Sequence, residues 1–178
     1  MKHLYIIRHA QTLPAEGGDD KSRKLTPNGL TDAQALGKLM AHKNYKPDAV
    51  LCSPATRTRE TLAGILESLG NIQTEFPDDI YNGGAGDLLH HLQQQDDTHK
   101  NILLVGHVPG VYELAALLAG TGRASLLAKL SEGYKPGTLS VLSCPNENWA
   151  DIQPAQGELI DFQESIDYNA PATPARWT

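Results

Sequence analysis

Apolar residues follow two rhythms along this chain. Short continuous runs alternate with longer segments in which an apolar residue returns every three or four positions. The runs read as buried strands and the segments as amphipathic helices. Residues 3–7, His3-Leu4-Tyr5-Ile6-Ile7, form the first run. Residues 13–24 hold Pro, Gly and charge, and read as a loop. Thr26-Pro27 is then a helix start, with threonine as N-cap and proline at the first helical position. Leu25 and Leu30 flank that cap at the spacing of a hydrophobic staple. Leu30, Ala33, Gly37 and Met40 carry one face of the helix to about residue 43.

The same grammar repeats. Ala49–Cys52 is a strand, Ser53-Pro54 a second cap-then-proline start, and Thr58, Leu62, Ile65 and Leu69 the inward stripe. Gly70 stands at the helix C-terminal glycine position. Residues 72–76 read as a short edge strand, and 87–95 as a helix with Leu88 and Leu92 inward. Residues 101–105 are another buried strand, and Val111, Leu114, Ala115 and Leu118 mark a helix that ends at Gly120. Residues 126–130 read as a further helical turn or two. Residues 138–143 and 158–163 read as a late hairpin that adds an antiparallel edge. Alternating strands and helices with continuously apolar strands predict a three-layer α/β/α sandwich with a mostly parallel central sheet. One domain over residues 1–168 is expected, with a mobile tail at 169–178.

Composition narrows the class. The chain has 178 residues, 40% hydrophobic and 20% charged, with 16 Gly and 11 Pro, which excludes collagen, coiled coil and wholesale disorder. Its length is enough to bury a core without covalent staples. Two cysteines, Cys52 and Cys144, make no disulfide framework, and a reducing, cytoplasmic setting is expected. The formal net charge of −6 argues against a general nucleic-acid binder. No apolar run reaches the roughly 20 residues of a membrane span, so neither nucleic acid nor membrane is an expected partner. The charge is uneven. Residues 1–62 hold ten Lys/Arg against six Asp/Glu, whereas residues 63–178 hold five against fifteen.

Ligands of open α/β sheets bind beyond the carboxyl ends of the strands. Here one strand runs into Arg8-His9 and another into Ser53-Pro54, with Arg57 on the next helical turn. A third runs into Gly106-His107-Val108-Pro109. In a parallel sheet these ends converge. Two guanidiniums, two imidazoles and a helix start then suit a phosphoryl group: the arginine fork matches its oxygens, and a neutral imidazole can attack phosphorus. Arg57 at a helix start opposes the helix dipole, a cost that an anion between them would offset. Arg59, two residues on, cannot share its face. Neither Gly83-Gly84-Ala85-Gly86, read as a loop, nor the adjacent His90-His91 makes a nucleotide or metal motif. No metal and no organic cofactor is expected.

Four segments in order carry a family resemblance. Arg8-His9-Ala10-Gln11-Thr12 resembles the R-H-G-x-[ST] signature of the histidine phosphatase (phosphoglycerate mutase-like) superfamily. Arg23-Lys24-Leu25-Thr26-Pro27-Asn28-Gly29 is similar to its R-x-L-T-x-x-G segment. Ser53 to Thr61 resembles S-P-x-x-R-x-x-[QE]-T, and Val105 to Gly110 matches V-G-H-x-P-G. The short chain looks most like the SixA-type phosphohistidine phosphatase branch. The resemblance implies a metal-independent phosphatase with His9 as the nucleophile that becomes phosphohistidine. Arg8, Arg57 and His107 would bind the phosphoryl oxygens, Arg23 would line the pocket mouth, and Thr12 would donate a hydrogen bond. It decides Arg57 over Arg59. It also implies, as substrate and partner, a protein phosphohistidine such as that of a phosphotransfer domain. The basic first third then reads as a by-product of an anion pocket, because all of these residues except His107 lie in it.

Two departures stand out. Ala10 replaces the usual glycine, and Gln11 stands where this branch often has an acid. Asp78, Asp79 and Asp87 lie where many superfamily members carry a proton donor, but no motif surrounds them and they read as surface carboxylates. A missing acid disfavours alkyl phosphomonoesters, whose alkoxide leaves poorly without a proton. Two alternatives stay open: a broad-specificity phosphatase of small phosphomonoesters, and a catalytically weak phosphate-binding interaction module.

Overall fold

The computed structural model describes residues 1–169. Its elements in chain order are β1 (Lys2–Arg8), α1 (Pro27–His42), β2 (Ala49–Cys52), α2 (Thr56–Leu69), β3 (Gln73–Glu75), α3 (Ala85–Gln93), β4 (Asn101–Gly106), α4 (Gly110–Leu118), β5 (Ala119–Gly122), α5 (Ala124–Ser131), β6 (Leu139–Cys144), β7 (Gly157–Gln163) and α6 (Ser165–Asn169). The strands form one seven-stranded sheet in the order β3-β2-β4-β1-β6-β7-β5. β3, β2, β4 and β1 run parallel, and the β6–β7 hairpin runs antiparallel beside β1. The expected mostly parallel sandwich is therefore present. No described helix is long and apolar enough to cross a membrane.

Strand alternation builds the two helical layers. Leu4 and Ile6 of β1, Leu51 of β2 and Ile102 and Leu104 of β4 face Leu88 and Leu92 of α3, and Val111, Leu114 and Leu118 of α4. Tyr5, Ile7, Val50, Cys52, Leu103 and Val105 take the other side, with Leu36 and Met40 of α1 and Leu62 and Ile65 of α2. Both faces are covered, so these strands read as continuous apolar runs. Small residues let α1 and α2 come close: a Cβ on Gly37 would lie 2.6 Å from the Ile65 carbonyl oxygen. A second close approach serves the site. Thr26 caps α1 by accepting from the Gly29 amide, and its own amide donates to the Gln11 carbonyl at 2.9 Å. A Cβ on Gly29 would lie 2.2 Å from that same oxygen, so only glycine lets the helix start press on the segment after β1.

Several expectations are corrected. The staple does not form, because Leu25 is buried but Leu30 is exposed; Leu36 takes the inward place assigned to Leu30. Ser53 does not cap α2, which starts at Thr56 after Ala55 with no side-chain cap. Ala85 and Gly86 open α3 rather than lying in a loop. Gly120 does not simply end α4 but enters β5, which lies outside the hairpin, so the sheet edge is a parallel strand. Asn169 closes α6 and donates to Asp32, and the rest of the expected tail, residues 170–178, lies outside the described residues.

One buried charge went unforeseen. Lys2 is fully buried, and its ammonium donates to the carbonyls of Asp97 and His99 at 2.8 and 2.9 Å beneath the Trp149 ring. Two carbonyl acceptors and a ring face replace the water that the burial removes.

Candidate active site

β2, β4 and β1 are neighbours and parallel, with Cys52 beside Val105 and Gly106 beside Arg8. Their carboxyl ends therefore lie side by side, and they deliver the three motifs to one cleft of about 280 Å³. It is lined by Arg8, His9, Thr12, Asp20, Arg23, Arg57, Tyr81, Asn82, His107 and Val108. All six residues singled out from the sequence are there. Arg59 is not: its guanidinium stacks 4.0 Å from the Phe76 ring on the surface.

His9 is buried, and its Nδ1 lies 2.8 Å from its neighbour's carbonyl, Ala10 O. A carbonyl only accepts, so Nδ1 carries the proton and Nε2 keeps its lone pair. Burial, with the nearby Arg57, Arg8 and Arg23 charges, pulls the His9 pKa down to about 4. The Ala10 amide donates to Thr61 Oγ1 at 3.0 Å, which pins the turn to α2. Ala10 has no positive φ, so the methyl in place of glycine strains nothing there.

His107 sits with its ring edge-on to His9, 5.3 Å between centroids. Its Nε2 is 2.7 Å from Ser53 Oγ, which also accepts from the Ala55 amide at 3.3 Å. In the tautomer in which the serine donates to Nε2, Nδ1 of His107 bears a proton. Ser53, expected to cap a helix, instead holds this ring. Burial, followed by the charges of Arg57 and His9, lowers the His107 pKa to about 3. Both rings are neutral at pH 7.

These two depressed values have a stability consequence. Below an ordinary histidine pKa of about 6.5 the unfolded chain binds protons that the folded site refuses. Stability conferred by the neutral rings is complete above pH ~6.5 and is lost as pH falls through about 4 for His9 and about 3 for His107. Thermal unfolding followed between those pH values should show Tm falling with acidification, with a shallower slope in His107→Gln. Equal slopes would contradict the burial account.

The cationic side chains are anchored by backbone and side-chain acceptors. Arg8 Nη1 donates to Tyr134 O at 2.8 Å. Arg57 Nη1 donates to Asp20 O at 2.8 Å, and its Nη2 to Asp20 Oδ2 at 3.1 Å. Arg23 donates from Nη2 to Thr12 Oγ1 at 2.7 Å, and from Nε to Leu13 O at 2.9 Å. Thr12 thus accepts from Arg23 and keeps its own hydroxyl proton to donate. Among the described residues, Arg8 Nε, Arg57 Nε and His107 Nδ1 are buried with no acceptor. Three orphaned donors on residues of one cleft fit a site built for an oxyanion.

Sequence reasoning missed Asp20, Tyr81 and Asn82. Asp20 lies in a 3₁₀ turn, Asp20–Ser22, within the segment read as a plain loop. Its carboxylate accepts from Arg57, from Arg23 and from the Tyr81 hydroxyl. The Tyr81 hydrogen bond, aided by Arg23 and Arg57, holds its pKa down at about 2. The only hint in the sequence was an acid three residues before Arg23. The other candidate acids do not line the cleft: Asp79 binds His91 at 2.7 Å, Asp87 accepts from the Gly84 amide at 3.1 Å, and Asp78 offers Tyr81 its backbone carbonyl. Gln11, whose Oε1 accepts from Thr26, is also turned to structure.

Comparison with known proteins places the chain in a family. The family model for the histidine phosphatase superfamily (branch 1) matches residues 4–101. An uncharacterized protein of Mycobacterium tuberculosis is 32% identical over 161 residues, covering 88% of this chain and 98% of that protein. A phosphohistidine phosphatase SixA homolog of Haemophilus influenzae is 28% identical over 129 residues, 66% of this chain and 77% of that one. Among solved structures, one provisionally assigned as phosphohistidine phosphatase SixA from Nakamurella multipartitia superposes with a TM-score of 0.78 at 31% identity. It covers 92% of this chain and 95% of its own.

Proposed function

The chain belongs to branch 1 of the histidine phosphatase superfamily, and as a phosphatase of that family we propose that it hydrolyses phosphohistidine through a covalent phosphoryl intermediate on His9. The observation that carries the proposal is the neutral His9 ring, its Nδ1 held by Ala10 O, in a cleft where Arg8, Arg57 and His107 each leave a donor unfilled.

In this mechanism the substrate's phosphoryl oxygens accept from Arg8, Arg57 and His107. The His9 Nε2 lone pair attacks phosphorus in line, and the P–N bond of the substrate breaks. A substrate imidazole protonated on its other nitrogen leaves as neutral imidazole, so no protein acid has to supply a proton. Water then attacks phospho-His9, releasing inorganic phosphate and restoring the neutral ring. The donors hold the charge that spreads over the equatorial oxygens at each step.

Leaving-group chemistry separates this substrate class from alkyl phosphomonoesters. An alkoxide needs a proton. The one carboxylate lining the cleft, Asp20, is held ionised down to about pH 2 and has none to give at neutral pH. A substrate panel tests the proposal. A phosphohistidine peptide and phosphoramidate should be turned over with kcat/KM at least about 100-fold above an alkyl phosphate such as glycerol phosphate. Equal values across the panel would sink the phosphohistidine assignment and favour a broad phosphomonoesterase. Tight phosphate binding with no turnover of any member would favour a binding module.

A further inference from the structure

We propose that Asp20 is a leaving-group-binding residue, whose open carboxylate oxygen accepts the N–H of the phosphorylated imidazole and thereby selects N-phosphoryl over O-phosphoryl substrates. This rests on the phosphohistidine reading above and extends it to a residue outside the four superfamily motifs.

The geometry has three parts. First, Asp20 is the single anionic side chain lining a cleft otherwise walled by Arg8, Arg23, Arg57 and neutral polar groups. A phosphoryl group does not call for a carboxylate there, since like charges repel. Second, Asp20 is fixed beside the cationic groups of the cleft, because its carbonyl and Oδ2 both take the Nη edge of Arg57. Third, the carboxylate is not saturated. Oδ2 accepts from Arg57 and the Tyr81 hydroxyl, and Oδ1 accepts only from Arg23, at 3.3 Å. An ionised carboxylate has about four lone-pair positions, so Oδ1 retains one. The Asp20 side chain is 49% exposed and reachable from the mouth.

The selectivity comes from the group beyond the phosphorus. In a phosphorylated imidazole the distal ring nitrogen carries a proton when the group is ready to leave. That N–H is a cationic donor, and an ionised carboxylate is its natural acceptor. Holding the proton on the distal nitrogen keeps the P–N bond weak until it breaks, and the proton departs with the imidazole. An alkyl or aryl phosphate offers no N–H, and its leaving oxygen gains electron density opposite a carboxylate.

The test uses the full chain and two substrates: phosphoimidazole, and a chromogenic aryl phosphate with a good leaving group. In Asp20→Asn the ratio of their kcat/KM values should fall about tenfold or more relative to the unmodified protein. A ratio that changes by less than about threefold overturns the proposal, whether both rates drop together, as a mere support for Arg57 would give, or neither moves. Asp20→Ser serves as a second variant should the asparagine fail to fold, with the same criterion. Methylating the distal nitrogen of phosphoimidazole removes the N–H. It should reduce kcat/KM in the unmodified protein and leave the variant nearly indifferent; an equal loss in both overturns the assignment. Failure of the parent reading looks different. It shows in the unmodified protein alone, as no turnover of phosphoimidazole and no trapped phosphoenzyme, and it removes this inference with it.

Discussion

Replacing His9 with alanine should lower kcat/KM on a phosphohistidine peptide by at least about 10³-fold and abolish the acid-labile phosphoenzyme trapped by rapid quench. The effect should be this large because the nucleophile has no neighbouring substitute. His107 is neutral too, but its Nε2 is engaged by Ser53 Oγ at 2.7 Å and is not free to attack. Binding should persist. Arg8, Arg57 and His107 keep their unfilled donors in the variant, so inorganic phosphate should still raise Tm by mass action. Losing turnover while keeping phosphate stabilisation distinguishes a missing nucleophile from a collapsed site. A variant retaining turnover within about tenfold of the parent would refute the covalent mechanism.

Arg57→Lys should cost about 10²- to 10³-fold in kcat/KM, although the charge is conserved. The guanidinium spans two jobs, gripping Asp20 with Nη1 and Nη2 while Nε remains without an acceptor. An ammonium is a point charge and cannot face both ways. Arg59→Lys provides the comparison. Arg59 lies on the surface against Phe76 and donates to Pro54 O, so its replacement should leave kcat/KM within about twofold. Comparable losses at the two positions would show that Arg57 acts only through the general field of the cleft.

Much of this was readable in the sequence, for reasons that can be named. Buried parallel strands must be apolar on both faces, so Leu4–Ile7, Ala49–Cys52 and Ile102–Val105 announce themselves, and parallel pairing then puts their ends together. The residues just past each strand end are its neighbours in sequence, so Arg8, His9, Arg57 and His107 could be placed before any coordinate. Asp20 could not. It meets Arg57 across 37 residues from a segment without periodicity, and no pattern links them. β5, Ala-Gly-Thr-Gly, lacks strand-forming side chains apart from its threonine and exists because β7 offers it a parallel edge. Leu30 was misjudged because the staple is a spacing rule, whereas the packing of α1 on α2 turns that side chain outward. The basic first third supplies Arg8, Arg23 and Arg57 to the cleft, and also its one carboxylate, Asp20.

The placement of β1 also ties catalysis to the order in which the chain folds. β1, which runs into His9, pairs on one side with residues 101–106 and on the other with residues 139–144. Both partners are remote, which is the signature of high contact order and of loop-closure entropy that must be met before any reward. During synthesis, Arg8 and His9 emerge before either partner of their strand. The cleft is therefore a property of the completed sheet rather than of any local segment.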